Sequence, residues 1–188
     1  MSRKCCWGRS HLGNLARRTM ERLTTPSNRQ QVRGFLTIHS TPSALRHHID
    51  WAVQAVLGTW VKPSWTPQPL IPGSYRTQIE FRDREGAAAE LASTLRSWHY
   101  LNFEVIENSD NGGELFRCTP ELGIHRAIVD QTGAVILTEN QLSAVLKNAF
   151  DEESIREAIS SLLGNPWELE LDRFRSVDLQ EIAQLRAI

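Results

Sequence analysis

From Gly34 the side chains alternate, with Phe35, Thr37 and His39 on one face and Leu36 and Ile38 on the other. This is the two-residue period of a strand. Thr41 and Pro42 offer an N-cap and a first-turn proline, and Leu45, Ile49, Ala52, Val53 and Val56 then recur at helical spacing as far as Gly58. Pro63, Pro67, Pro69 and Pro72 allow only a short or edge strand, around Val61 to Trp65, followed by a loop. Tyr75 to Phe81 alternates again, placing Thr77, Ile79 and Phe81 opposite Arg76, Gln78 and Glu80. A second helix carries Ala88, Leu91, Leu95 and Trp98 on one stripe, and Leu101, Phe103 and Val105 resume the strand period.

Residues 34 to 107 thus spell strand, helix, strand, strand, helix, strand, the order of a ferredoxin-like βαββαβ core. The predicted class is α+β. "GELFRCT", then "GIHRAIVD" and "AVILT" joined at "DQTG", add antiparallel strands, and helices follow from about residue 138. Thr138 to Gln141 and Asn165 to Glu168 have capping-box spacing, and Asp151 is a further N-cap. One domain is expected over 33–188.

Charge divides the chain. Residues 1–33 carry eight basic side chains against Glu21 alone, a net of +7, which leaves the remainder at −8 in a chain whose total is −1. Residues 1–32 are therefore expected to form a disordered basic tail, or to follow an over-called start with Met20 as the initiator. A phosphate backbone is a poor match for so acidic a body, so nucleic acid is not the expected partner. No apolar run approaches the roughly 20 residues of a membrane span, and the first 33 residues lack the core of a secretory signal. Cys5, Cys6 and Cys118 make neither a disulfide framework nor a metal-ligand spacing, which suits a cytoplasmic setting.

Candidate chemistry gathers in "GFLTIHSTPSALRHHIDW". On a helical wheel His47 and His48 diverge, with His47, Asp50 and Trp51 on the side away from the apolar stripe, so no metal site is expected. Trp51 calls for a cover: either the C-terminal helices, with Trp167 or Phe174 as neighbours, or another protein docked on it. The first of these carries the greater weight. His39 differs, because on a ferredoxin-like sheet the face away from the helices would bring it together with Arg76 and Glu80 on one strand and Glu104 on another. That set could bind a polar ligand or pair a base with an orienting acid, although a solvated sheet face accounts for it more simply. Cys118 reads as a buried structural thiol, and no phosphate loop or nucleophile elbow is present.

Three separated blocks, "RGFLTIHSTPSALRHHIDWAVQAVLG", "LASTLRSWHYLNFEV" and "TPELGIHRAIVDQTGAVILTENQL", resemble the actinobacterial domain of unknown function 3145 family, and "LGNPWELELDRFR" continues the likeness. The resemblance implies no catalytic residues and no cofactor. Members often lie beside genes of type II fatty-acid synthesis, which implies a shared pathway. The expected function is an accessory or regulatory module with a protein partner in lipid metabolism, with homo-oligomers possible. The alternative is a small enzyme using His39 as general base.

Overall fold

The computed structural model describes residues 31–110 and 112–186, with the side chains of the last helix described as far as residue 177. The alternation noted from Gly34 begins three residues earlier, since β1 spans Gln31–Pro42 and buries Val32, Gly34, Leu36 and Ile38 on one face. Gly34 has no alternative there, because a Cβ would stand 2.2 Å from the Phe81 ring and 2.7 Å from the Ile106 carbonyl oxygen. After Ile38 the register slips against both neighbouring strands. His39, Ser40 and Thr41 are all buried in succession, because this end of the strand is covered on both faces, His39 lying under Phe174 of the last helix.

This bulge also moves the start of the first helix. Pro42 still pairs with Ser74, so Thr41 and Pro42 finish the strand and do not cap α1, Arg46–Leu57; one 3-10 turn, Ser43–Leu45, intervenes. Ile49, Val53 and Leu57 are its buried residues, with Leu45 and Val56 packed beside them. The proline-rich connection supplies only a two-residue edge strand, β2, Thr66–Pro67, just beyond the Val61 to Trp65 stretch where a short or edge strand was expected, and Val61 is buried in the core. Then come β3, Ser74–Arg84, and α2, Ala87–Leu95. The α2 N-terminus is held by the buried Glu107 carboxylate, which accepts from the amides of Gly86 (2.9 Å) and Ala88 (2.8 Å). A carboxylate at this end opposes the positive pole of the helix dipole and satisfies donors that the helix cannot.

β4 (Asn102–Ser109), β5 (Gly112–Thr119), β6 (Gly123–Val129) and β7 (Val135–Ile136) complete a seven-stranded sheet in the order β2-β3-β1-β4-β5-β6-β7. Every neighbouring pair is antiparallel. The protein is α+β. Helices α1 and α2 pack on one face of the sheet, where Leu36, Ile38, Phe81, Leu91, Leu95, Phe103 and Val105 form the core.

Three more helices follow, α3 (Glu139–Asn148), α4 (Glu152–Leu163) and α5 (Asn165–Arg186). Thr138 with Gln141 forms the reciprocal cap its spacing implies, and Asp151 is the N-cap expected of it, with Ser154 as its reciprocal partner. Asn165 to Glu168 is not such a cap: Asn165 is already the first helical residue, and the Glu168 carboxylate is bound to Arg117 and Arg175. Leu171 and Phe174 of α5 are buried, and α5 contacts β1 and β5. The sheet face expected to be open is therefore partly roofed. Among the described residues no helix is long and apolar enough to cross a membrane, and the expected tail at 1–32 lies outside them except for its last two positions.

Candidate functional site

Register decides which side chains share the roofed face. Thr37 stands opposite both Gln78 and Glu104, Glu104 opposite Arg117, and Arg117 opposite His125, so one row crosses five strands. His39, on the same face as Thr37 and beside the bulge, reaches back so that its Nε2 lies 2.7 Å from Glu104 Oε1. Over this row α5 lays Glu168, Leu171 and Arg175, one helical face by their spacing of three and four.

Glu104 is the hub. It accepts from His39, from Arg175 Nε (3.0 Å) and from Arg175 Nη2 (2.5 Å), and Arg117 Nε stands 3.5 Å away. Glu168 closes the ring by pairing with both Arg117 and Arg175. Burial alone would raise the Glu104 pKa, but hydrogen bonds and charge from His39 and Arg175 outweigh it and hold the carboxyl at about 2, against 4.5 unperturbed. The same carboxylates push the Arg175 pKa further up, against its own desolvation. His39 is 3% exposed and lies under Phe174, the ring centroids 6.0 Å apart. Little of that imidazole meets solvent.

Beside the network a cavity of about 390 Å³ opens along the sheet. Phe35, Ile106 and Leu115 give it apolar surface, Thr37 and Gln78 give neutral polar groups, and Arg117, Glu168 and Arg175 line its α5 side. Such a mixture suits a ligand or a partner's side chain held by a few directed polar contacts.

His39 and Glu104 are brought together as their strand positions implied. Arg76 and Glu80 stay apart from them: Glu80 accepts from Arg33 Nε (2.7 Å), and Arg76 Nε lies 3.4 Å from Thr66 Oγ1. β1 separates β3 from β4, which keeps Arg76 off Glu104. On the opposite layer His47 is 4.0 Å from Asp50, and Asp50 accepts from Trp65 Nε1 at 2.8 Å. Trp51 is 66% exposed and, among the described aromatic groups, meets the His48 ring edge-on. The C-terminal helices do not cover it, because they pack across the sheet from α1: Phe174 lies on His39, while Trp167 stacks on His125 and donates to the Gly123 carbonyl.

Cys118 is buried, and desolvation pushes its thiol up to about 11, so the thiolate a nucleophile needs is suppressed. His125 stands opposite Arg117 and not beside the thiol. Its Nε2 donates to the Leu162 carbonyl (3.1 Å), and burial holds its pKa below the usual value. Among the described residues no cluster of three His, Cys, Asp or Glu side chains could hold a metal ion. Arg117, Glu168, Phe174 and Arg175 are the members that sequence reasoning missed, although the spacing of Glu168, Leu171 and Arg175 carried the signal of a shared helix face.

Residues 35–186 match the model of a family, DUF3145, described as a protein of unknown function. No curated protein and no solved structure matches the chain.

Proposed function

The chain belongs to the DUF3145 family, and from that premise we propose that it is a non-catalytic accessory or regulatory binding module, working in the cytoplasm with a protein partner of type II fatty-acid synthesis. One observation carries the reading: the imidazole that stood out as a candidate base is 3% exposed and pinned to Glu104 beneath Phe174. A histidine so placed fastens α5 to the sheet. Binding surface is supplied instead by the cavity along Thr37, Gln78 and Ile106 and by the exposed Trp51 with His47 and Asp50 on α1. The strand order β2-β3-β1-β4, with α1 and α2 on one face, supports reading the first part as a ferredoxin-like unit extended by β5 to β7.

The rival reading makes His39 a general base oriented by Glu104, which their 2.7 Å contact favours. It requires α5 to lift. The two readings separate when the full chain is given acetyl-CoA and palmitoyl-CoA and thiol release is followed. No turnover is expected, and turnover that disappears in His39→Gln would establish the enzyme instead. Offering purified enzymes of type II fatty-acid synthesis singly to the immobilised chain tests the partner. Retention of one, weakened by Trp51→Ala, is expected, and retention of none would remove the pathway from the proposal.

A further inference from the structure

β3 is a long strand with a short neighbour. It spans Ser74–Arg84, yet β2 pairs with it only at Tyr75 and Arg76. Just before them the Ser74 carbonyl accepts from the Gln68 amide and the Ser74 amide donates to the Ile71 carbonyl, so the backbone of Ser74 points away from β1. Strand alternation turns Gln78, Glu80 and Arg82 the same way. Among the described residues no backbone group bonds to the outer side of those three positions, and their side chains are exposed. At Arg84 the edge closes, because the Asp83 carboxylate accepts from the Arg84 amide at 2.6 Å. On β6, at the other edge, β7 pairs at Ile128 and Val129 and Trp167 donates to the Gly123 carbonyl, which leaves only Ile124 to Ala127 against Thr77 to Asp83 on β3. An open edge of this kind is a template for another strand.

Charge says which strand. Arg82 stands opposite Arg33 across the ladder, and like charges directly opposite one another are unfavourable. Arg33 binds Glu80 at 2.7 Å, whereas Arg82 has no ion-pair partner among the described residues. A second β3 laid antiparallel about Phe81 sets Glu80 of each copy opposite Arg82 of the other. Both positions turn their backbone outward, so each such pair exchanges both of its backbone hydrogen bonds. Sliding the register to the next bonded pairing in either direction would set Glu80 against Glu80, or Arg82 against Arg82.

We infer that the chain pairs with a second copy of itself along β3, Glu80 of each copy facing Arg82 of the other, so that two seven-stranded sheets become one. The interface is isologous, and its two-fold axis passes between the two Phe81 residues. Arg82 gains the counter-charge it lacks within its own chain, and the outward amides and carbonyls of Glu80 and Arg82 gain partners. An interface made chiefly of one strand pair is at the small end of specific contacts, so dissociation constants of roughly 1–100 μM are expected. Gln78 also lines the cavity beside α5, which puts the second copy at the margin of that cavity. The pairing uses none of the His39 network and stands or falls independently of the accessory-module reading.

Sedimentation equilibrium of the full chain over roughly 1–300 μM is expected to show monomer and dimer in exchange. Glu80→Arg sets arginine against Arg82 of the other copy, and Arg82→Glu sets glutamate against Glu80, so each variant alone should dissociate about tenfold more readily or worse. Mixed in equal amounts, the two should recover a dimer, because every facing pair is then of opposite charge. Both positions are exposed, so both variants should fold, which circular dichroism checks. The wild type supplies a second readout that needs no variant: the amides of Glu80 and Arg82 should exchange with solvent more slowly as concentration rises. A chain that stays monomeric throughout would overturn the proposal. So would a dimer whose Glu80 and Arg82 amides exchange equally fast in dilute and concentrated samples, folded variants that dimerise as the wild type does, or a mixture that fails to restore the dimer.

Discussion

Glu104 shows how one carboxylate can organise a site. It is partly buried, and its charge is tolerated because His39, Arg175 and Arg117 surround it. Glu104→Ala would leave Arg117 and Arg175 with Glu168 alone as counter-charge in a poorly solvated place and His39 without its partner, so a loss of about 3–5 kcal/mol is expected in urea unfolding. The pH dependence has a definite sign. Its pKa is lower folded than unfolded, so the contribution is present above 4.5 and is lost as pH falls toward about 2. Stability measured between those values should decline in the wild type and be flatter in Glu104→Gln; parallel curves would show that the network is not what acid breaks. Trp51 and Trp98 make a second contrast. Trp51→Ala should cost less than about 1 kcal/mol because the ring is mostly in solvent. Trp98 is half-buried against the core just beyond α2, so Trp98→Ala should cost more, about 2 kcal/mol, somewhat under the value for a fully buried aromatic. At this scale the His39–Glu104 pair was legible, because strand alternation assigns faces and both positions obey it. Arg175 was not, because its place depends on where α5 docks, which no local pattern states.

Among the elements, the joint between α4 and α5 is the most constrained. Gly164 closes α4 at φ 78°, and a Cβ there would stand 2.7 Å from the His125 ring, so both its conformation and its surroundings require glycine. His125 in turn donates to Leu162 at the end of α4 and stacks on Trp167 at the start of α5, with centroids 4.7 Å apart. Burial and the nearby Arg117 both disfavour a second proton on this ring. The unfolded chain takes up that proton near the ordinary 6.5, while the folded chain resists it, so this joint should weaken as pH falls below 6.5. Trp167 fluorescence followed from neutral to acid pH should report a change that His125→Phe removes. An unchanged titration in that variant would assign the signal elsewhere. The caps at Thr138 and Asp151 were readable because a reciprocal cap is a four-residue event. The start of α1 was not, since Thr41 and Pro42 have cap-like chemistry and only the long-range pairing of Pro42 with Ser74 keeps them in the strand.

Across the whole molecule, burial is distributed unevenly, and stability should follow it. The sheet and α1 with α2 contain nearly all of the buried apolar residues, and α5 adds Leu171 and Phe174. Neither α3 nor α4 has a buried residue, and Leu146 and Phe150 are 67% and 99% exposed. α3 is held mainly by α4, and α4 by α5, so this arm gains little from the hydrophobic effect that stabilises the sheet. Its amides should exchange with solvent through local openings far less costly than global unfolding, whereas those of β1 and β4 should exchange only near the global limit. Substitution should show the same division. Phe150→Ser is expected to change stability by less than about 0.5 kcal/mol, whereas Phe174→Ala, which empties the roof over His39, should cost about 3–5 kcal/mol. Hydrogen exchange read by mass spectrometry across 139–163, alongside urea unfolding of the two variants, checks both expectations. If α3 proved as protected as β1, or if Phe150→Ser were as damaging as Phe174→Ala, something must cover this arm in solution, and its apolar surface would then be an interface.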